Sequence, residues 1–362
     1  MSDLTVYTVA WICAIGTELV AAKQFLDETH DAVDQLPAKD DNAYVLGRVG
    51  KHNIVIAALP YRQYGLVSAA IVARDMARSF PNLRFALIVG TGGGAPSRRH
   101  DIRLGDIVVS SPGSGIGGVL QYDFGKTIQD ESFKVTGHLN QSPQCLLRAI
   151  PLLEADYESD GNGIDTRIAR ILETKPRLRA KYRKPESSTD RLFSPVYKHT
   201  GDKDQDCTAV CDATHLIERP ERSDEEDSPT IHYGTIASAN QLIKDANLRD
   251  KLSAENNVLC FEMEAAGLMN QFPSIKARYP GSGRRLLESE AYTTWKTGDS
   301  SFLWLYGIPG CGKTILTSTV IEDLQKSQSL AQALLYFYFD FTDSRKQSFE
   351  NTLRLLVWQI YY

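Results

Sequence analysis

Eight residues, Gly307 to Thr314, read Gly-Ile-Pro-Gly-Cys-Gly-Lys-Thr and constrain the fold more than any other stretch of the chain. They fit G-x-x-x-x-G-K-[ST]. In that pattern glycines let backbone N–H groups curl around phosphate oxygens, the lysine supplies charge to the terminal phosphates, and the hydroxyl ligates Mg2+. A strand-like run at 302–306 precedes the loop and a helical pattern from 314 to about 325 follows it, so a helix N-terminus would face the anion. Gly307, Gly310, Gly312, Lys313 and Thr314 are thus the expected nucleotide-binding residues. ATP with Mg2+ is the expected cofactor pair, Thr314 being the magnesium ligand. Hydrolysis also needs an acidic residue at a later strand end. Asp340 closes the apolar run 333–341 but stands very close in sequence to the loop, and Asp343 is no better placed. Binding is better supported than hydrolysis.

Upstream, short apolar runs alternate with stretches of helical spacing. Residues 6–15, 53–59, 85–89 and 106–110 read as strands. Residues 18–28, with Leu19, Ala22 and Leu26 on one face, and 68–79, with Ala69, Val72, Ala73 and Met76, read as helices. Further on, 231–238 and 257–261 read as strands, and 241–253 and 264–270 as helices. This alternation predicts a layered α/β sheet, in which ligands gather beyond the carboxyl ends of strands. Between the two runs lies a polar insertion, 154–229, rich in charge, Pro, Ser and Asp and weak in periodicity. It is expected to be at least partly flexible. Residues 271–283 hold Pro273, Pro280, Gly281 and Gly283 and read as a connection, followed by a helix at 286–295.

The net charge of -5 offers no basic field to attract nucleic acid or anionic membrane. No apolar stretch approaches the roughly 20 residues that span a bilayer, and residues 6–15 lack the basic flank of a signal peptide. The six cysteines are sparse for a disulfide framework. A cytoplasmic protein with neither a nucleic-acid nor a membrane partner is expected.

Two segments carry further chemistry. Gly90-Thr91-Gly92-Gly93-Gly94 follows a buried-type strand, where backbone amides can approach an anion or a sugar hydroxyl, or where the strand simply exits into a loop. Glu262 and Glu264 sit at a strand-to-helix junction within an apolar segment. One reading is a helix N-terminal cap, the other a carboxylate accepting hydrogen bonds from a ribose diol. His199, Cys207, Cys211 and His215 form an H-x7-C-x3-C-x3-H series, open to a zinc staple or to ordinary reduced thiols. His232 reads as a structural histidine or as a ligand neighbour.

Six blocks occur in one order: 11–18, 89–96, 101–110, 121–126, 231–241 and 260–268. With them, residues from about 5 to 274 resemble the purine nucleoside phosphorylase and nucleosidase superfamily, in the form found at the front of fungal NLR-like proteins. From about Tyr279 the chain resembles the opening of a NACHT-type domain. The resemblance implies three parts. Residues 1–274 would form a nucleoside phosphorylase-like α/β domain, a mixed sheet with flanking helices. Residues 275–300 would form a linker and helix, and 301–362 the first part of a P-loop NTPase α/β domain. It implies cleavage of a purine nucleoside or nucleotide N-glycosidic bond, with phosphate or water as nucleophile, in a protein of non-self recognition or regulated cell death, often a homo-oligomer. Residue by residue, Glu18 matches the glutamate that positions the nucleophilic water, and Gly92 and Gly93 the nucleophile-side or phosphate-side loop. Met263 and Glu264 match the ribose contacts, and Ser238, Ala239 and Asn240 the wall against the base. Carboxylates there would stabilise the positive charge that bond breaking builds on the ribose. In the family an aspartate beyond the Glu-Met-Glu helix protonates the leaving purine. Here no Asp occurs between Asp250 and Asp299, so a catalytically inactive nucleoside-binding or interaction domain is the alternative.

Overall fold

Parallel strands need helical crossovers, and the alternating pattern supplies them. The computed structural model describes residues 3–269, 283–298, 303, 313–327, 350 and 353, apart from 34, 38, 39, 114, 130–132, 137, 138, 203, 204 and 224. Two compact units emerge, Met1–Pro273 and Ser274–Tyr362.

In the first unit the chain runs through β1 (Val9–Cys13), α1 (Gly16–Gln24), β2 (Glu28–Thr29), β3 (Tyr44–Val49), β4 (His52–Ala58), α2 (Leu66–Ser79) and β5 (Phe85–Ile88). These strands form one sheet in the order β2-β3-β4-β1-β5. β1 lies parallel between β4 and β5, with Ala10 opposite Val55 and Ala86. Every described residue from Val9 to Cys13 is buried except Trp11, which is half-buried, and Val9, Cys13, Ala22, Ile54 and Ile56 share one core cluster. A strand covered on both faces needs such a continuous apolar run. The helix expected at 18–28 stops at Gln24, because Glu28–Thr29 is drawn into the sheet opposite Arg48 and Gly47.

A second sheet follows, from β6 (Gly93–Gly94), β7 (Ile107–Ser110), β8 (Val119–Gln121), β11 (Ile231–Ser238) and β12 (Val258–Glu262), in the order β6-β12-β11-β7, with β8 also on β11. β9 (Gly125–Lys126) and β10 (Lys134–Val135) form a separate pair. β11 is long enough to pair with β7 over its first half and β8 over its second. Leu120, Tyr122, Ala237, Val258 and Phe261 pack this sheet's core. α7 (Ala246–Asn256) starts later than the expected helix at 241–253, because the Asp245 carboxylate accepts from the Asn247 and Leu248 N–H groups at 2.9 and 3.2 Å and fixes the N-cap there. α8 (Ala265–Met269) packs on α2 so closely that a Cβ on Gly267 would lie 2.1 Å from the Leu66 carbonyl oxygen. Only glycine admits that backbone contact.

The polar insertion holds helices that weak periodicity did not predict. α3 (Gln144–Asp160) runs into it, followed by α4 (Ile164–Thr174), α5 (Pro176–Tyr182) and the short α6 (Cys207–Val210). None buries a residue fully, so a deep apolar stripe is missing. Ile164, Ile168, Ile171 and Leu172 still hold helical spacing, and Pro176 sits at a helix start, where its missing N–H costs nothing.

In the second unit the stretch expected as one helix at 286–295 is two, α9 (Arg284–Leu287) and α10 (Glu290–Thr297). Ser289 separates them by capping Tyr292 N–H through its hydroxyl. α11 (Lys313–Ser327) is the helix expected after the phosphate loop. The Tyr292 hydroxyl donates to Asp323 at 2.6 Å, and Lys296 pairs with the same carboxylate. Gly307, Gly310, Gly312, the strand expected at 333–341, Asp340, Asp343 and all of the strand expected at 302–306 but Leu303 lie outside the described residues.

Candidate functional site

The carboxyl ends of four parallel strands carry most of the expected residues of the first unit. Cys13 ends β1 and Ile88 ends β5, side by side. From the first turn of α1, Glu18 reaches back over both exits. Its Oε2 accepts from Ala14 and Ile15 N–H at 2.7 and 3.1 Å. Its Oε1 accepts from Thr91 N–H at 2.8 Å and the Thr91 hydroxyl at 3.2 Å. Gly90 makes this possible, since a Cβ there would lie 2.8 Å from Oε1.

Ser238 ends β11 opposite Glu262 of β12. The paired glutamates differ in what they bind. Glu262 caps: its Oε2 accepts from Glu264 and Ala265 N–H at 2.8 and 2.9 Å. Glu264 reaches away from that turn, accepting from Gly65 N–H at 3.1 Å through Oε1 and from Met263 N–H at 3.2 Å through Oε2. Burial pushes the Glu264 carboxyl above its ordinary pKa against these two hydrogen bonds, and Glu18 is near enough to add to the rise. Burial also raises Glu262.

Met263 and Gly93 line a cavity of about 180 Å3 together with Gly94, Gln241, Phe261 and Glu262; Glu18 and Glu264 are not among its lining residues. Gly93 and Gly94 are paired antiparallel with Phe261 and Cys260, so this part of the glycine loop is a strand edge rather than a free exit. Gly92 stands against the same strand, where a Cβ would meet the Phe261 carbonyl oxygen at 3.1 Å. The expected base wall is largely occupied with the fold. The Ser238 hydroxyl accepts from Ala266 N–H at 3.0 Å, and Ala239 is buried. Asn240 donates its N–H to Asp123 at 3.1 Å and accepts Leu66 N–H at 3.1 Å through Oδ1, capping α2.

At the far end of β7, the block at 101–110 builds an ion network that sequence reasoning did not foresee. Asp106 accepts from both terminal nitrogens of Arg222 at 2.7 and 2.6 Å. It also accepts from Arg103 and Thr230 N–H, and meets His232 Nε2 at 3.1 Å. His232 is therefore structural. Arg219 binds Asp101 at 3.2 Å and Asp190 at 2.6 Å. The polar insertion is thereby tied to the sheet by arginines whose partners, 116 and 118 residues away, share no local pattern with them.

Lys313 and Thr314 open α11. Of the other expected residues, His199, Cys207 and Cys211 converge, while His215 stacks on Tyr197 with ring centroids 4.2 Å apart.

Comparison with known proteins gives two sequence relations. Residues 281–362 match the family described as Nephrocystin 3, N-terminal. Over 274 residues the chain is 44% identical to a nucleotide-binding leucine-rich repeat (NLR)-like protein of Hyaloscypha variabilis, covering 75% of this chain and 26% of that protein. The chain thus spans about a quarter of the length of that relative. The resemblance to an NLR-like protein rests on this relative as well as on the motifs. Similar solved structures include a 5'-methylthioadenosine/S-adenosylhomocysteine nucleosidase from Neisseria meningitidis, in complex with methylthio-immucillin-A. It shares 15% identity over 74% of this chain and 80% of that one, at a TM-score of 0.42. Another is futalosine hydrolase of Helicobacter pylori, with 14% identity over 75% and 80% and a TM-score of 0.40. No described helix is long and apolar enough to cross a membrane.

Proposed function

We propose that the first unit binds a purine nucleoside or nucleotide and cleaves its N-glycosidic bond, in front of an ATP-binding switch of an NLR-like protein of non-self recognition or cell death. The observation that carries this reading is the acceptor count at Glu264. A carboxylate offers about four lone-pair directions. Among the described residues, Glu264 accepts two N–H groups, so two directions remain, enough for the two hydroxyls of a ribose diol. Glu18 already receives four donors and serves to fix the exits of β1 and β5. Thr91's hydroxyl is the longest and most easily rotated of them, and its release would let Glu18 orient a water molecule.

In the step, the C1′–N bond breaks and its electron pair leaves with the purine. Positive charge grows on the ribose, where the buried Glu264, with no ion pair among the described residues, stabilises it strongly because little water screens it. Water or phosphate then bonds to C1′; for water, Glu18 receives the proton. The purine takes a proton from a donor other than the family's aspartate, which has no counterpart between Asp250 and Asp299. That absence supports a second reading, nucleoside binding without cleavage.

Purified protein incubated with adenosine, inosine, guanosine and ATP, with and without phosphate, should release free base detectable by chromatography, and Glu264→Ala should abolish release. Nucleoside bound by the native chain with no base released would favour the second reading. Unchanged binding in Glu264→Ala would show the site to lie elsewhere. For the switch, Lys313→Ala should weaken ATP binding and leave nucleoside binding intact; equal loss of both would sink the two-site arrangement.

A further inference from the structure

Within the polar insertion, one small cluster has the chemistry of a metal site. Helix α6 is a single turn, and its Cys207 is joined to Cys211 by the Cys211 N–H donating to the Cys207 carbonyl at 3.0 Å. The i, i+4 spacing sets both sulfurs on one side. His199 closes the triangle: its Nδ1 lies 3.4 Å from the Cys207 sulfur and 3.3 Å from the Cys211 sulfur. All three donor atoms fall within 4.8 Å of one another. A tetrahedral zinc with Zn–S of about 2.3 Å and Zn–N of about 2.0–2.1 Å sets each S···N edge at about 3.5 Å. The two edges here are within 0.2 Å of that.

The histidine is oriented for the task. Its Nε2 stands 3.1 Å from the Asp202 carbonyl oxygen, which can only accept. Nε2 therefore carries the proton, and the Nδ1 lone pair faces the sulfurs, as in metal-ligating histidines held by a backbone carbonyl. One lone pair cannot accept from two thiols at once, whereas a cation satisfies the lone pair and both sulfurs together. The surrounding chain is already looped to hold the donors: the Thr200 hydroxyl donates to the Val210 carbonyl at 2.6 Å, and Asp206 caps α6 through Thr208 N–H at 2.7 Å. Helices α3 to α6 bury no residue fully, so this insertion gains little from apolar burial.

We propose that His199, Cys207 and Cys211 bind one zinc-class divalent cation, which staples the insertion that delivers Asp190, Arg219 and Arg222 to the ion network at Asp106. Binding releases the thiol protons and leaves two thiolates and a neutral imidazole on the metal. The test uses the full chain, purified under reducing conditions. Elemental analysis should find about one zinc per chain, and Co2+ exchange should give a thiolate-to-cobalt charge-transfer band. Zinc should protect Cys207 and Cys211, but not the exposed Cys145, from alkylation read by peptide mass spectrometry. Cys207→Ser, Cys211→Ser and His199→Ala should each lose the band, while His215→Ala keeps it. Equal alkylation of Cys207 and Cys211 with and without zinc, or a Cys207–Cys211 disulfide in the reduced preparation, would overturn the site. The native chain alone reads both outcomes, so a variant that fails to fold leaves the answer intact.

Discussion

Asp106 and Glu264 are both buried carboxylates, and the molecule keeps them in opposite ways. The Asp106 side chain is 1% exposed and surrounded by donors, two of them guanidinium nitrogens. Burial alone would raise its pKa, but Arg222, His232 and two backbone N–H groups outweigh burial and hold the carboxyl well below the usual range. Glu264 is 7% exposed, accepts two backbone N–H groups, and has no ion pair among the described residues. Its pKa is pushed up, by burial first and Glu18 after. A saturated carboxylate holds structure together, whereas an undersupplied one keeps capacity for something that arrives from outside.

The largest expected effect breaks the saturated side. Asp106→Asn leaves Arg222, 16% exposed, without its carboxylate, and should cost about 3–5 kcal/mol in urea unfolding. The same linkage sets the pH sense. The folded-state pKa is depressed below 3.8, so the stabilisation is present above that value and fades as pH falls through the folded pKa. Unchanged unfolding in Asp106→Asn would erase the contrast. Next comes Glu264→Gln, which keeps shape but removes charge. Nucleoside affinity measured calorimetrically should fall about 10- to 100-fold, the worth of one or two charge-assisted hydrogen bonds, with stability nearly unchanged. A large stability loss with intact affinity would place Glu264 on the structural side beside Asp106.

Smaller still is Gly90→Ala. Its methyl would press 2.8 Å from Glu18 Oε1, an overpacking worth about 1–3 kcal/mol. Base release should suffer more than nucleoside binding, since Glu18 and not Glu264 is displaced; equal loss would show the two carboxylates to act as one unit. The gentlest test is titration. Because the folded Glu264 pKa is raised above 4.5, lowering pH into the window just above that value protonates it in the folded state. Its contribution to stability then rises while nucleoside affinity declines, and parallel movement of the two would contradict the assignment.

The blocks legible in sequence were those whose chemistry is local. β1, β5 and β12 are short apolar runs, and the paired glutamates announce a strand-to-helix junction within three residues. Which glutamate caps and which reaches out was not legible, because Gly65, the donor that decides it, is 199 residues away. The Asp106 network failed for the same reason: Arg222 lies in a stretch that reads as a solvated charge run. In the His/Cys series the sequence offered four donors at an uncommon spacing, and only the fold separates His215, stacked on Tyr197, from the three that meet. Asn240, expected from the resemblance as a wall against the base, caps α2, a role that depends on Leu66 in another element.

The contact of Gly267 with the Leu66 carbonyl acts as a fixed gauge between α2 and α8. Gly65, one residue before α2, donates its N–H to the carboxylate of Glu264, one residue before α8, so the spacing of the two helices is set by backbone against backbone and the carboxylate is moored to the same seam. A side chain between Gly267 and Leu66 could change rotamer and let the two helices shift; a bare backbone has no such freedom. On the proposed nucleoside reading, a sugar held by Glu264 would have to fit the spacing it finds, so rigidity as well as contact would select among sugars.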